Sequence, residues 1–126
     1  MLRTSWIPGP ATDHSGEVFV SVTDFTVHRK TDLLPAYLAG RRLASGWNGP
    51  DGAVGLWLWA ELSTGRCGSV SFWLDRKSLH GFVGWAPHIA IMRKFRDKGV
   101  LVSDSWTSER FDRDEAWRKA ALRTRR

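Results

Sequence analysis

Hydrophobic and polar residues alternate with period two in four stretches of the chain and with helical period in three, which is enough to lay out an element order. In Glu17 to Val27, Val18, Val20 and Val22 point one way, while Phe19, Ser21, Thr23 and Phe25 point the other. Ala53 to Leu62 alternates in the same manner. Val54, Leu56, Leu58 and Leu62 fall on one side, and Gly55, Trp57, Trp59 and Glu61 on the other. The turn Ser63-Thr64-Gly65-Arg66 leads into Gly68 to Leu74, so these two strands read as an antiparallel hairpin. A last strand is expected over Val100 to Thr107.

Between the strands the period changes. Thr31-Asp32-Leu33-Leu34-Pro35 reads as a helix start, with Leu34, Tyr37 and Leu38 as its buried stripe. Asp75 to Lys98 reads as two helical pieces separated near Gly81, Gly84 and Pro87. Leu79, Phe82 and Val83 form one apolar stripe there, and His88, Ile91, Met92 and Phe95 another. Asp112 with Glu115 three residues on has the spacing of a capping box and opens a final helix. Met1 to Gly16, punctuated by Pro8, Gly9 and Pro10, reads as an irregular arm, and Trp47 to Gly52 as a loop.

The order β-α-β-β-α-β plus a C-terminal helix is the ferredoxin-like α+β pattern, an antiparallel sheet with helices on one face. A length of 126 residues predicts one domain spanning 1–126, with the arm over 1–16 and the C-terminal helix and basic tail over 111–126. The aliphatic face Val18/Val20/Val22, Val54/Leu56/Leu58 and Val70/Phe72/Leu74 is the one expected under the helices. The opposite face then collects Phe19, Ser21, Thr23, Phe25, Trp57, Trp59, Glu61, Ser71 and Trp73. Large aromatics mixed with hydroxyls suit a ligand pocket or an interface between two copies better than they suit water.

Composition sharpens this in two ways. Eight Trp in so short a chain call for a packing or binding role. The net charge of +6 is uneven: residues 1–26 carry −2, 27–92 carry +3 and 93–126 carry +5, much of it from Arg118, Lys119, Arg123, Arg125 and Arg126. Cations in the last turns of a helix complement its dipole, and the Trp residues are not interleaved with them. No nucleic-acid reader motif is present, so nucleic acid is not the expected partner. No apolar stretch is long enough to span a bilayer, and a lone Cys67 cannot form an internal disulfide, so a cytoplasmic protein is expected.

Candidate chemistry centres on His88. It begins a helical piece on its apolar stripe, where the helix N-terminus disfavours the imidazolium and leaves a neutral nitrogen able to accept a proton or ligate iron; the same placement also suits a hydrogen-bonded core histidine. Glu61, the one acid on the aromatic face of its strand, is a second acid/base candidate if desolvated. Trp57, Trp59, Trp73, Phe19, Phe25, Ser71 and Met92 are the expected substrate-binding residues. Cys67 has no adjacent His and is a poor nucleophile candidate. Asp24 and Asp104 are expected to pair or cap. Walker loops, dinucleotide fingerprints, Cys-based zinc spacings and Ser-centred elbows do not occur.

At Ser71-Phe72-Trp73-Leu74-Asp75, followed by Leu79, Phe82, Pro87-His88, Met92-Arg93 and Trp106, the sequence resembles the dimeric α/β-barrel superfamily, in its spheroidene-monooxygenase-like and antibiotic-biosynthesis-monooxygenase-like branch. The resemblance covers about a third of the chain, from Ser71 to Trp106. It implies a homodimer, a pocket between sheet and helices, and a monooxygenase-type enzyme acting on a small, flat, apolar substrate that is aromatic, polyketide-like or isoprenoid. In haem-using relatives it implies a haem, whose axial ligand here would be His88, the residue at the motif's His position. Other branches oxidise activated polyphenols without a cofactor or cyclise polyketide-like intermediates. A non-catalytic module binding an aromatic ligand is the remaining alternative.

Overall fold

A computed structural model describes residues 1–46 and 50–124; Trp47 to Gly49 of the expected loop and Arg125 and Arg126 of the basic tail lie outside the described residues. The elements in chain order are β1 (Leu2–Arg3), β2 (Ile7–Pro8), β3 (Val18–Val27), α1 (Leu33–Ser45), β4 (Ala53–Glu61), β5 (Arg66–Trp73), α2 (Arg76–Val83), α3 (Ala86–Phe95), β6 (Gly99–Ser108) and α4 (Arg113–Thr124). All strand pairs are antiparallel, in the order β1-β4-β5-β3-β6, with β2 also on β4. The ferredoxin-like α+β architecture read from the sequence is the one observed.

The arm is more regular than expected. Leu2 and Arg3 pair with Ala60 and Trp59, and Ile7 and Pro8 with Leu56 and Gly55, so the first residues finish the free edge of β4. Pro8 and Pro10 have no N–H to donate, and the arm continues along β4 through the alternate residues, Gly9 N–H on the Val54 carbonyl at 3.0 Å and Ala11 N–H on the Ala53 carbonyl at 2.9 Å. The stripe of α1 also differs. The helix starts at Leu33 after a single 3₁₀ turn and buries Leu33 and Ala44, whereas Leu34 and Leu38 are exposed. Asp75 caps α2 by accepting the Ser78 N–H at 2.8 Å, Pro87 sits in the first turn of α3, and Asp112 caps α4 by accepting the Glu115 N–H at 3.0 Å.

The larger correction concerns the two sheet faces. Opposed residues of an antiparallel pair share a face, and the register sets Leu56 against Ser71, Trp57 against Val70 and Leu58 against Ser69. A β-bulge between Ala53 and Gly55 shifts the phase of β4, so Val54 faces one way while Leu56 and Leu58 face the other. Leu56 and Leu58 therefore join Phe19 and Trp73 under α1 and α2, with Tyr37, Leu79 and Phe82 packed against them. Trp57 and Trp59 join Val18, Val20, Val22, Val70 and Phe72 on the opposite face. That face is covered by the chain itself, through Trp6 of the arm, Phe111, and Ala116, Trp117 and Ala120 of α4.

This cover accounts for much of the Trp excess. Trp6 meets Trp57 and Phe72 edge-on, both at 5.2 Å between ring centroids, and Trp57 meets Trp117 at 5.5 Å. Arg3 is held between Trp57 and Trp117 at 4.7 and 4.6 Å. At the end of the same face Asp24, 2% exposed, takes two hydrogen bonds from Arg66, at 2.6 and 3.2 Å. Part of the basic C-terminus is likewise engaged: Arg123 pairs with Asp104, and Lys119 and Arg123 lie over Trp106.

Candidate active-site cavity

The face turned toward α1–α3 is not filled. A cavity of about 640 Å³ lies between it and the three helices, within the size range of small-molecule sites. Its roof is apolar, from Leu43 of α1, Leu79 and Phe82 of α2, and Ile91, Met92 and Phe95 of α3. Its floor is made by hydroxyls on β3, β5 and β6 with Phe25, Leu56, Leu58 and Leu101 around them.

His88 lines this cavity. The break at Gly84-Trp85 and the new helix start at Ala86 turn the third residue of α3 back toward α2, where the His88 ring packs on Phe82 with centroids 4.5 Å apart. Its Nδ1–H donates to the Val83 carbonyl at 3.1 Å. A carbonyl can only accept, so the proton is on Nδ1 and Nε2 keeps its lone pair. Burial holds the imidazole pKa below its ordinary value, against the smaller opposing effect of the Val83 bond. The result is a neutral base at the wall of an apolar chamber.

The sequence-derived site residues divide by face. His88, Phe25, Ser71 and Met92 line the cavity. Trp73 and Phe19 lie on the same face but are buried in the wall, Trp73 against Phe82 at 5.1 Å and with its Nε1–H on Ser71 Oγ at 2.9 Å. Trp57 and Trp59 do not take part: they are 5% and 2% exposed in the core beneath α4 and the arm. Glu61 shares their face at the end of β4, where its carboxylate accepts from Thr64 at 2.8 Å and stands 3.8 Å from Arg66, away from the cavity. Cys67 lines the cavity, yet burial pushes its thiol up to about 11, so it is no nucleophile.

Residues passed over in the sequence also contribute, chiefly Ser69, Ser103 and Ser105. A signal for them exists: β3, β5 and β6 each carry two hydroxyl residues two positions apart, Ser21/Thr23, Ser69/Ser71 and Ser103/Ser105.

No protein-family model and no curated protein matches the sequence. Solved structures do. SnoaB of Streptomyces nogalater, a cofactor-independent oxygenase, superposes in a mutant form with a TM-score of 0.60 at 16% identity, over 75% of this chain and 95% of that one. A protein from Nitrosomonas europaea described as an antibiotic biosynthesis monooxygenase gives 0.63 at 12% identity, over 75% and 90%. Another so described, from Deinococcus radiodurans, gives 0.62 at 11%, over 70% and 89%. The chain has the ferredoxin-like fold of antibiotic-biosynthesis monooxygenases.

Among the described residues no helix is long and apolar enough to cross a membrane, and no cluster of three or more His, Cys, Asp or Glu could hold a metal ion. The haem implied for His88 is a separate matter, because it needs only one protein ligand. The donor suits iron, since Nδ1–H on a carbonyl is the usual arrangement of a ligating His. The cavity suits a porphyrin poorly, because the floor facing the apolar roof is a field of hydroxyls where a macrocycle would present an apolar face.

Proposed function

We propose that this protein is a small monooxygenase that oxidises a flat, largely apolar substrate in the cavity between its sheet and α1–α3, without a cofactor and with His88 as the base. The observation that carries this reading is a neutral imidazole, its Nε2 free to take a proton, in a chamber with an apolar roof and a hydroxyl floor. The fold shared with a cofactor-independent oxygenase supports it.

The chemistry needs a substrate that supplies all the electrons. A ring CH₂ made acidic by a carbonyl and neighbouring phenols meets that need. His88 Nε2 takes one proton, and the electron-rich anion left behind reduces O₂, which partitions readily into an apolar chamber. One oxygen atom becomes the ring carbonyl and the other leaves as water, so CH₂ and O₂ are converted to C=O and H₂O with no outside reductant. Hydrogen bonds from the floor stabilise the charge that spreads onto the substrate's oxygens.

The homodimer implied by the family resemblance is part of this proposal, with altered support. The aromatic face is already covered, but the edge strand β6 leaves Val100, Leu101 and Val102 at 53%, 43% and 49% exposed. A cytoplasmic setting suits the single free thiol of Cys67.

An oxygen electrode tests the reaction with a hydroxyanthrone as probe. The expected result is uptake of one O₂ per molecule oxidised, above the spontaneous rate and unchanged by chelators. A cyclase or a passive binding module would consume none, and chelator-sensitive uptake would overturn the cofactor-free reading.

A further inference from the structure

The hydroxyls on the cavity floor stand in register. Ser21 of β3 is opposite Ser71 of β5 and Ser105 of β6, and Thr23 is opposite Ser69 and Ser103, giving two rows of three across adjoining strands. Their hydrogen bonds split the field in two. Toward β5 the groups are committed: Thr23 Oγ1 and Ser69 Oγ bond at 2.8 Å, and Thr23 Oγ1 also accepts the Ser69 N–H at 3.0 Å. Ser71 Oγ accepts from Trp73 Nε1 at 2.9 Å and donates to the Ser21 carbonyl at 3.4 Å. Toward β6 the hydroxyls of Ser21, Ser103 and Ser105 have no side-chain partner among the described residues; Ser103 and Ser105 stand exposed on the edge strand, and Ser21 alone is buried.

Ser21 is the telling case. It is 7% exposed and lines the cavity, so its hydroxyl is withdrawn from bulk water without a protein partner in exchange. Buried hydroxyls are ordinarily paired, and one aimed into a cavity is paired by what occupies it. Neighbouring strands lie about 4.8 Å apart, so the directly opposed Ser21 and Ser105 carry their hydroxyls on Cβ atoms about one strand spacing from each other. Two oxygens meta to one another on a six-membered ring are separated by a similar distance, whereas ortho oxygens are much closer.

Resting on the cavity assigned under the proposed function, we infer that Ser21 and Ser105 determine substrate specificity by binding a ring edge that carries two oxygens in 1,3 relation. Ser103 stands beside them on β6. The oxygenated edge then points toward β6, and the carbon skeleton lies beneath Phe82, Ile91 and Met92, the apolar side chains of the roof. A ring with no oxygen on that edge leaves Ser21 buried and unpaired, which is how a hydroxyl site rejects an apolar analogue.

The test is equilibrium dialysis under anaerobic conditions, so that binding is read without turnover, with 1,3-dihydroxynaphthalene, 2,3-dihydroxynaphthalene and 2-naphthol as probes. The 1,3 isomer should bind about tenfold more tightly than the 2,3 isomer. Ser21→Ala and Ser105→Ala should each bring that ratio close to one, and a melting temperature unchanged from the wild type reports that the variants are folded. Equal binding of the two isomers, a preference that survives Ser21→Ala, or no binding of any probe would overturn the inference. A 1,3 preference in a protein that consumes no O₂ with the hydroxyanthrone would leave this inference standing and remove the oxygenase reading.

Discussion

At the scale of the residue, His88 is the group on which the proposed chemistry depends. Burial lowers its pKa in the folded chain, while in the unfolded chain it titrates near its ordinary value of about 6.5. Between those two values the unfolded state binds the extra proton, so His88's contribution to stability is fully present above pH of about 6.5 and is lost as pH falls toward the lower, folded value. His88→Gln should therefore flatten the fall of the melting temperature between pH 7 and pH 5; parallel curves for variant and wild type would show that the imidazole is not held neutral by its surroundings. The residue was legible in the sequence because its signal is local: a His on an apolar stripe, directly after Trp85-Ala86-Pro87, has its environment set by its own helix. Trp57, Trp59 and Glu61 were misplaced because the face they occupy depends on the register with β5, which no short window of sequence contains.

At the scale of the element, the bulge at Ala53/Gly55 is decisive. It lets β4 present Leu56 and Leu58 to the cavity and Trp57 and Trp59 to the far core, so a single strand serves both layers. Gly55 is required there: a Cβ would lie 2.1 Å from Cζ2 of Trp6. Strand and arm are thus fitted to each other, and Trp6 packs on Trp57, Phe72 and Phe111. Trp6→Ala should destabilise the fold by about 2–4 kcal/mol through the cavity it leaves, measured by urea denaturation, yet should leave 2-naphthol binding unchanged because the arm covers the other face. A variant as stable as the wild type would mean that the arm does not seal the aromatic core. Helix starts and the hairpin were legible from capping residues and turn chemistry, as Asp75, Asp112 and the positive-φ Gly65 show. The arm's two strands were not, since a two-residue pairing leaves no period to detect.

At the scale of the whole molecule, the order of elements made the ferredoxin-like fold readable, because only a few topologies accept β-α-β-β-α-β. Which layer covers each face was not readable: both faces are apolar enough to need a cover, and α4 and the arm compete for them with α1–α3. Their settling on the Val and Trp side frees the Ser and Thr side to hold a ligand. It also removes the reason for expecting a partner over the Trp face, whereas β6 exposes three consecutive apolar residues, Val100, Leu101 and Val102, at the sheet edge. Light scattering at micromolar concentration should still give twice the 14.3 kDa of one chain, and Val102→Lys on the edge strand should shift it toward the monomer. A wild type that is monomeric throughout would remove the dimer without touching the cavity.

In the proposed function, His88 is the base of an oxygenase site beneath α1–α3. The most direct measurement is the initial rate of O₂ uptake with the hydroxyanthrone by wild type and His88→Gln at pH 7. The variant should lose about a hundredfold or more in rate, while its dissociation constant for 2-naphthol stays the same. A His88→Gln protein that consumes O₂ at the wild-type rate would contradict that role.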